Sequence, residues 1–234
     1  MSGGYPAVLL LIALVGLGCR GSDGASPADL GSRRNSVGYR VIDLPYPAGP
    51  KGDTLTLAVW YPTTAEPSPL HYGGRVHGHV AVDGAVDTEH GPYPLLLYSH
   101  GYGGCALAAA FFTEALAGQG WIAVAPDHHD KQSAVRTRTG AQEGWDRRAF
   151  VRDAKRITES GPEDRAAYLY RLDEMRLALD GILASEPFGA IIDTGRIAVG
   201  GHSLGGFTAL GVAGTIPEYQ DERVRAILLF STGA

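Results

Sequence analysis

The feature that most restricts the fold of this chain is a serine flanked by glycines where a strand meets a helix. Residues 196–206 read RIAVGGHSLGG, in which Gly201, Ser203 and Gly205 form a G-x-S-x-G pattern. The preceding residues have the composition of a buried strand, and residues 204–214 have that of a helix. A serine on the sharp turn between them is lifted clear of the sheet, and side chains at the flanking positions would collide with neighbouring backbone. The pattern predicts an α/β fold with an exposed Ser203 hydroxyl at a helix N-terminus.

Short apolar runs alternate with helical stretches along the rest of the chain. Strands separated by helices imply a mostly parallel sheet covered on both faces, and we expect two antiparallel strands at its N-terminal side. Residues 62–93, rich in Pro, Gly and His, are interpreted as a loop. Five apolar residues spaced by three or four indicate one face of an amphipathic helix. These five are Leu169, Leu172, Met175, Leu179 and Ile182, and the predicted strands are Tyr39–Leu44, Leu55–Tyr61, Leu95–Tyr98, Trp121–Ala125, Ile197–Val199 and Ala226–Phe230.

A second glycine-rich turn, His100-Gly-Tyr-Gly-Gly104, follows the strand that ends at Tyr98. Glycines at such a turn allow the backbone to approach a substrate closely. When a nucleophilic serine attacks a carbonyl, backbone N–H groups can stabilise the negative oxygen that develops. The N–H groups of Tyr102 in this loop and of Leu204 beside the serine are the candidate donors. A glycine-rich phosphate-binding turn is the alternative for the serine motif, but no phosphate-binding lysine follows it.

Four stretches in this order resemble the α/β-hydrolase superfamily, and more narrowly the bacterial relatives of platelet-activating-factor acetylhydrolase and dienelactone hydrolase. They are LAVWYP at 57–62, GPYPLLLYSHG at 91–101, GWIAVAPDHHD at 120–130 and GHSLGG at 201–206. The resemblance implies a three-layer α/β-hydrolase fold. It also implies hydrolysis of a small carboxylic ester, short-chain or phospholipid-like, through an acyl-enzyme on Ser203, with no metal or other cofactor.

The chain departs from these relatives at the catalytic base. The family order is Ser, then an acid, then His, whereas all eight histidines stand at or before position 202. We therefore expect the domain to be incomplete at its C-terminus, with the last strands, the last helix and the triad acid and base missing. His128 and His129, at the end of a neighbouring strand, are the alternative bases.

The segment Asp127-His128-His129-Asp130 has two further readings. Together with His77 and His79 it could supply metal ligands, but its spacing matches no helix-borne site, and loop polar residues are the preferred interpretation. Where the relatives usually have acid-His-Arg-Asp, this chain has no arginine, which puts a local ion pair in doubt.

The N-terminus has the pattern of an export signal. Residues 7–18 form an apolar run too short to span a bilayer, and Cys19 follows directly. We expect a lipoprotein-like signal at 1–18, a lipid on Cys19, a flexible tether at 19–36 and the hydrolase domain at 37–234. This predicts a membrane-anchored protein of the bacterial cell envelope. A secreted or periplasmic protein and an uncleaved or unexported chain are the alternatives.

The charge and the cysteine content of the chain limit the kinds of partner and reactive group that we expect. A net charge of −5 gives no global field that would attract nucleic acid. The basic segment 131–156 could attract anionic substrates or lipid headgroups, although a solvated flap is the plainer reading. Cys105 could be reactive near a helix N-terminus, but a buried small side chain is the commoner case.

The rival to an esterase is an inactive hydrolase-like envelope protein that binds an ester or lipid.

Overall fold

The computed structural model describes residues 35–47, 54–73, 76–159 and 162–231. Within these residues one sheet of eight strands carries helices on both faces. The strand order is β10-β9-β5-β6-β2-β1-β4-β3. The sheet strands are β1 Ser36–Pro45, β2 Thr54–Thr63, β3 Ser68–Gly73, β4 Val76–Val82, β5 Tyr93–Ser99, β6 Ile122–Pro126, β9 Ile192–His202 and β10 Val224–Phe230, and β7 Val135–Arg136 pairs with β8 Gly140–Ala141 as a separate two-stranded ladder.

The helices lie between the strands in the chain, as the alternation predicts. They are α1 Ala110–Gly118, α2 Arg147–Glu159, α3 Tyr170–Ala184, α4 Phe188–Ile191 and α5 Leu204–Leu210. A 3-10 turn at Ala106–Ala109 precedes α1, and a π-helical turn at Gly211–Thr215 continues α5, so the helix predicted over 204–214 changes geometry after Leu210. None of the helices in the described ranges combines the length and apolarity that a membrane span requires.

The central strands run parallel, and the N-terminal strands reverse direction. β10, β9, β5 and β6 are parallel to one another, whereas β6 and β2, and β2 and β1, are antiparallel. The prediction of a mostly parallel sheet with two antiparallel N-terminal strands is confirmed.

Side chains of β5 alternate between two apolar cores. Leu95 and Leu97 pack on one face with α3, while Leu96 and Tyr98 pack on the other with residues of α1. Both faces are buried because a strand points successive side chains to opposite sides. Four of the predicted stripe residues lie on α3 and are fully buried, which confirms the amphipathic stripe. They are Leu172, Met175, Leu179 and Ile182.

One sequence prediction is wrong. Residues 62–93 contain the β3–β4 hairpin, in which His71 lies opposite His77. Its pattern was hidden because His and Gly stand at positions where apolar residues signal a strand. Of the tether predicted over 19–36, the structure describes Asn35, whose N–H donates to the carbonyl of Gly118 at 2.9 Å, and Ser36, which begins β1. The remaining tether and the signal lie outside the described residues.

Candidate active site

The backbone at Ser203 has the strained conformation that the glycine pattern predicts. Its φ is 53° and its ψ is −121°, a combination that L-residues rarely adopt. A Cβ on Gly201 would lie 2.1 Å from the carbonyl oxygen of Gly205, and one on Gly205 would lie 2.0 Å from that of Ser99. Side chains are excluded at both positions by backbone atoms, which cannot rotate away. The serine therefore stands on a tight turn between β9 and α5.

The turn is fixed at both ends by backbone hydrogen bonds. The N–H of Ser203 donates to the carbonyl of Phe230 in β10 at 3.1 Å, and the N–H of Gly206 donates to the carbonyl of Ser203 at 2.8 Å. Leu204 is the first residue of α5, so no preceding helical turn offers its N–H an acceptor. Its N–H is thus available to a ligand beside the Ser203 hydroxyl.

The glycine-rich loop after β5 packs directly against this turn. A Cβ on Gly101 would lie 2.9 Å from Nδ1 of His202 and 3.4 Å from the His202 carbonyl oxygen. The N–H of Gly103, at a positive φ of 72°, donates to Asp130 Oδ2 at 3.2 Å, and that of Gly104 donates to the Gly101 carbonyl. The N–H of Tyr102 donates to no acceptor within the described part of the chain. The loop we call the glycine loop (100–104) thus lies beside Ser203.

A buried ion pair between Arg171 and Asp130 is hydrogen-bonded to the glycine loop. Arg171 on α3 binds Asp130 through Nε–Oδ1 and Nη2–Oδ2 contacts of 2.8 and 2.5 Å, and both side chains are fully buried. The same guanidinium donates to the His100 carbonyl at 2.8 Å. Burial alone would raise the pKa of Asp130, but the charge of Arg171 lowers it to about 2. The sequence left a local ion pair in doubt because no arginine follows His128. Arg171 of α3 supplies the positive charge of that pair.

A second buried network links Ser99, His128 and Glu174. Nε2 of His128 lies 2.7 Å from Ser99 Oγ, and its Nδ1 lies 2.7 Å from Glu174 Oε2. Burial, and then the charge of Arg171, lower the pKa of His128 to about 3, so its ring is neutral at neutral pH. With an ionised Glu174 accepting from Nδ1–H, the Ser99 hydroxyl donates a hydrogen bond to Nε2. His129 also binds Glu174, with Nδ1 at 2.7 Å from Oε1.

These contacts bear on the alternative bases. Both ring nitrogens of His128 have partners other than Ser203. His100 is held by the Gly101 carbonyl at Nδ1 and by the His128 N–H at Nε2, and burial followed by the Arg171 charge lowers its pKa to about 4. Among the described residues, no histidine nitrogen or carboxylate oxygen is hydrogen-bonded to the Ser203 hydroxyl. The geometry therefore gives Ser203 a strained turn and leaves its proton acceptor unassigned, and the N–H groups of Tyr102 and Leu204 stay predicted donors.

The alternative of a metal site is not supported by any ligand cluster in the described residues. In the ranges that the structure describes, no group of three or more His, Cys, Asp or Glu side chains is arranged to hold an ion. His77 and His79 lie on β4, which β1 and β2 separate from the end of β6 where Asp127 stands. Asp127 accepts hydrogen bonds from the N–H groups of Ala106 and Thr137.

The structure describes Cys105 but not Cys19. Cys105 is buried, and burial, followed by the charge of Asp127, raises its pKa to about 11, so the thiol stays protonated at neutral pH. Cys19 lies outside the described residues, and its lipidation stays a prediction.

Sequence reasoning missed Arg171 and Glu174. A signal was present, since both are charged residues beside the apolar stripe of α3, at Leu172 and Met175. Sequence alone does not show that such residues turn inward to meet Asp130 and His128, which lie more than 40 positions away.

Comparison with known proteins supports the fold. A model of the family "platelet-activating factor acetylhydrolase, isoform II" matches residues 70–159, a stretch that contains the glycine loop and ends before Ser203. A ferulic acid esterase from Streptomyces cinnamoneus superposes with a TM-score of 0.61 at 22% identity, covering 82% of this chain and 58% of that one. A dienelactone hydrolase-like promiscuous phosphotriesterase from metagenomic libraries gives 0.51 at 18% identity, covering 85% and 61%.

This chain therefore spans less than two thirds of the length of either solved structure. The expected fold class is confirmed by these superpositions and by the sheet order. The chain is an α/β-hydrolase-fold protein similar to platelet-activating factor acetylhydrolases and dienelactone hydrolase-like proteins.

Proposed function

We propose that the chain is a serine-dependent hydrolase of carboxylic esters. The observation that carries the proposal is the backbone of Ser203, held at a positive φ between two glycines whose Cβ positions are blocked. Strain of this kind persists only where the surrounding structure enforces it, and it is typical of functional sites. The similarity to esterases in the comparisons supports the same class of reaction.

In the proposed reaction, Ser203 Oγ attacks the ester carbonyl carbon. The C–O bond that forms moves the carbonyl electron pair onto oxygen, and the N–H groups of Tyr102 and Leu204 stabilise that charge. One such donor contributes roughly 3 kcal/mol to lowering the barrier in comparable enzymes. Collapse of the intermediate expels the alcohol and leaves an acyl-enzyme, which water then hydrolyses. A general base takes the hydroxyl proton of Ser203 during the attack and returns it to the departing alkoxide, which leaves as the alcohol. Among the described residues, no base is hydrogen-bonded to that hydroxyl.

Labelling with a fluorophosphonate tests the proposal on the full chain. We expect covalent labelling that Ser203→Ala abolishes and that Ser68→Ala, on the exposed strand β3, leaves unchanged. Circular dichroism verifies that each variant is folded. Intact mass spectrometry locates the adduct.

The rival function is an inactive hydrolase-like protein that binds an ester or lipid without turnover. It is favoured by one observation, that His100, His128 and His129 each bond to a partner other than Ser203. A folded wild-type chain that takes up no fluorophosphonate would support this rival and contradict the esterase.

The export proposal concerns a separate part of the chain. We propose that Cys19 is lipidated and that this anchors the protein to a bacterial envelope membrane, on the basis of the apolar run at 7–18. Metabolic labelling with an alkyne fatty acid should modify the wild type and the Cys105→Ala variant but not Cys19→Ala. Equal labelling of Cys19→Ala would refute the anchor.

A further inference from the structure

A cleft of about 460 Å³ opens beside the glycine loop. Its walls include three tyrosines, two cationic side chains and one carboxylate, and we call it the tyrosine cleft. These residues are Tyr102, Tyr168, Tyr170, Lys131, Arg156 and Asp153. Tyr102 belongs to both sites, because its N–H is the proposed oxyanion donor while its side chain lines the cleft. An ester whose carbonyl oxygen meets that N–H therefore has one of its two halves beside the cleft.

The tyrosine rings are held in fixed orientations. Tyr102 stacks on Phe150 of α2, with centroids 5.8 Å apart and planes 8° from parallel, and it meets Tyr168 edge-on at 6.1 Å. Tyr170 is fixed through its hydroxyl, which donates to Asp130 Oδ1 at 2.7 Å. Preorganised rings of this kind favour a planar aromatic ligand, because aromatic pairs gain energy beyond their buried area in stacked or edge-to-face contacts.

The charges of the cleft favour an anion. Asp153 is already engaged, since Arg152 approaches it at 3.4 Å and the Tyr102 hydroxyl donates to it at 3.5 Å. Lys131 and Arg156 are exposed, and no carboxylate among the described side chains lies within ion-pair distance of either. Within the described side chains, these two cations therefore stand beside the rings without a carboxylate partner. A guanidinium binds carboxylate or phosphate oxygens in bidentate geometry, which an ammonium supplements as a point charge.

We propose that the tyrosine cleft is the subsite for an aryl group that carries an anionic substituent, a carboxylate or a phosphate, on one half of the ester. This substrate class rests on the proposed function, because it assumes that the carbonyl lies at the Tyr102 N–H. A quaternary ammonium against the tyrosine faces is the competing ligand. It is disfavoured because Lys131 and Arg156 would repel it and because Asp153 is already paired with Arg152.

Isothermal titration calorimetry with phenylphosphonate, which has both a ring and an anion and cannot be hydrolysed as an ester, tests the proposal. The full chain should bind it with a Kd below about 1 mM. Methylphosphonate, which lacks the ring, and benzyl alcohol, which lacks the charge, should bind at least about tenfold more weakly. Benzyltrimethylammonium binding more tightly than phenylphosphonate would overturn the proposal, as would no heat from phenylphosphonate at several times that concentration.

Matched variants locate the binding. Lys131→Gln combined with Arg156→Gln should weaken phenylphosphonate about tenfold or more. Lys155→Gln is the control on α2, the helix that carries Arg156. The Lys155 ammonium pairs with Glu159 and does not line the cleft. Equal affinity in the double variant and the control would place the anion elsewhere and contradict the proposal.

The Ser203→Ala variant separates this proposal from the esterase proposal. It should bind phenylphosphonate like the wild type, because the cleft does not include Ser203. Fluorophosphonate labelling without phenylphosphonate binding would refute the substrate class alone. Binding without labelling would refute the reaction alone.

Discussion

At the scale of single residues, Gly201 and Gly205 determine whether the serine turn can form. Each Cβ would meet a backbone carbonyl oxygen near 2 Å, closer than real Cβ contacts. The obstruction comes from main-chain atoms of α5 and β5 rather than from the end of a flexible side chain. Relief would therefore require the turn itself to move, which would displace Ser203 from the strained conformation that the proposed attack needs.

Gly201→Ala should lower the free energy of unfolding by about 3 kcal/mol, because overpacking of this kind forces backbone shifts. It should also abolish fluorophosphonate labelling even where the protein remains folded. Urea unfolding followed by circular dichroism measures the first effect. Gly118→Ala is the matched control, since the nearest atom to its Cβ lies at an ordinary 3.7 Å. A Gly201→Ala variant as stable as this control would contradict the packing argument.

At the scale of elements, the Arg171–Asp130 pair joins α3 to the segment after β6 and holds the glycine loop between them. The pair also binds the loop directly, through the His100 carbonyl and the Gly103 N–H. Removing the guanidinium would leave a buried carboxylate without its counter-ion. A buried charge left unpaired is costly because the protein interior solvates it poorly.

Arg171→Met should lower the free energy of unfolding by about 3 to 5 kcal/mol. Arg138→Gln breaks an exposed pair with Asp43 and should cost less than about 1 kcal/mol. Urea denaturation of both variants measures the difference. If Arg171→Met lost no more stability than Arg138→Gln, the pair would not hold these elements together.

Elements with a local signal were predictable from sequence, and contacts between distant residues were not. The strand, serine and helix of the turn are contiguous, so Gly201, Ser203 and Gly205 indicate their own geometry. The β3–β4 hairpin was missed because its apolar alternation is weak. The tyrosine cleft was missed because Tyr102 and Tyr168 are 66 positions apart and meet only in the folded chain.

At the scale of the whole molecule, the buried titratable groups beneath the site make stability depend on pH in one direction. His100 and His128 titrate near 4 and 3 when folded, and near 6.5 when unfolded. Below pH 6.5 the unfolded chain therefore binds protons that the folded chain does not. Asp130, whose folded pKa is about 2, contributes stability that is present above its ordinary value of 3.8 and is lost as pH falls toward 2.

The free energy of unfolding should therefore be level between about pH 7 and 8 and fall as pH decreases from 6.5 to 4. Two histidines that bind protons only when unfolded give a slope of up to about 3 kcal/mol per pH unit. Urea titrations at several pH values measure this slope. His128→Asn removes one of the two protons and should halve the slope, whereas His79→Asn, on the exposed side of β4, should leave it unchanged. Stability that stays level down to pH 5 would show that the two imidazoles are solvated enough to be protonated in place.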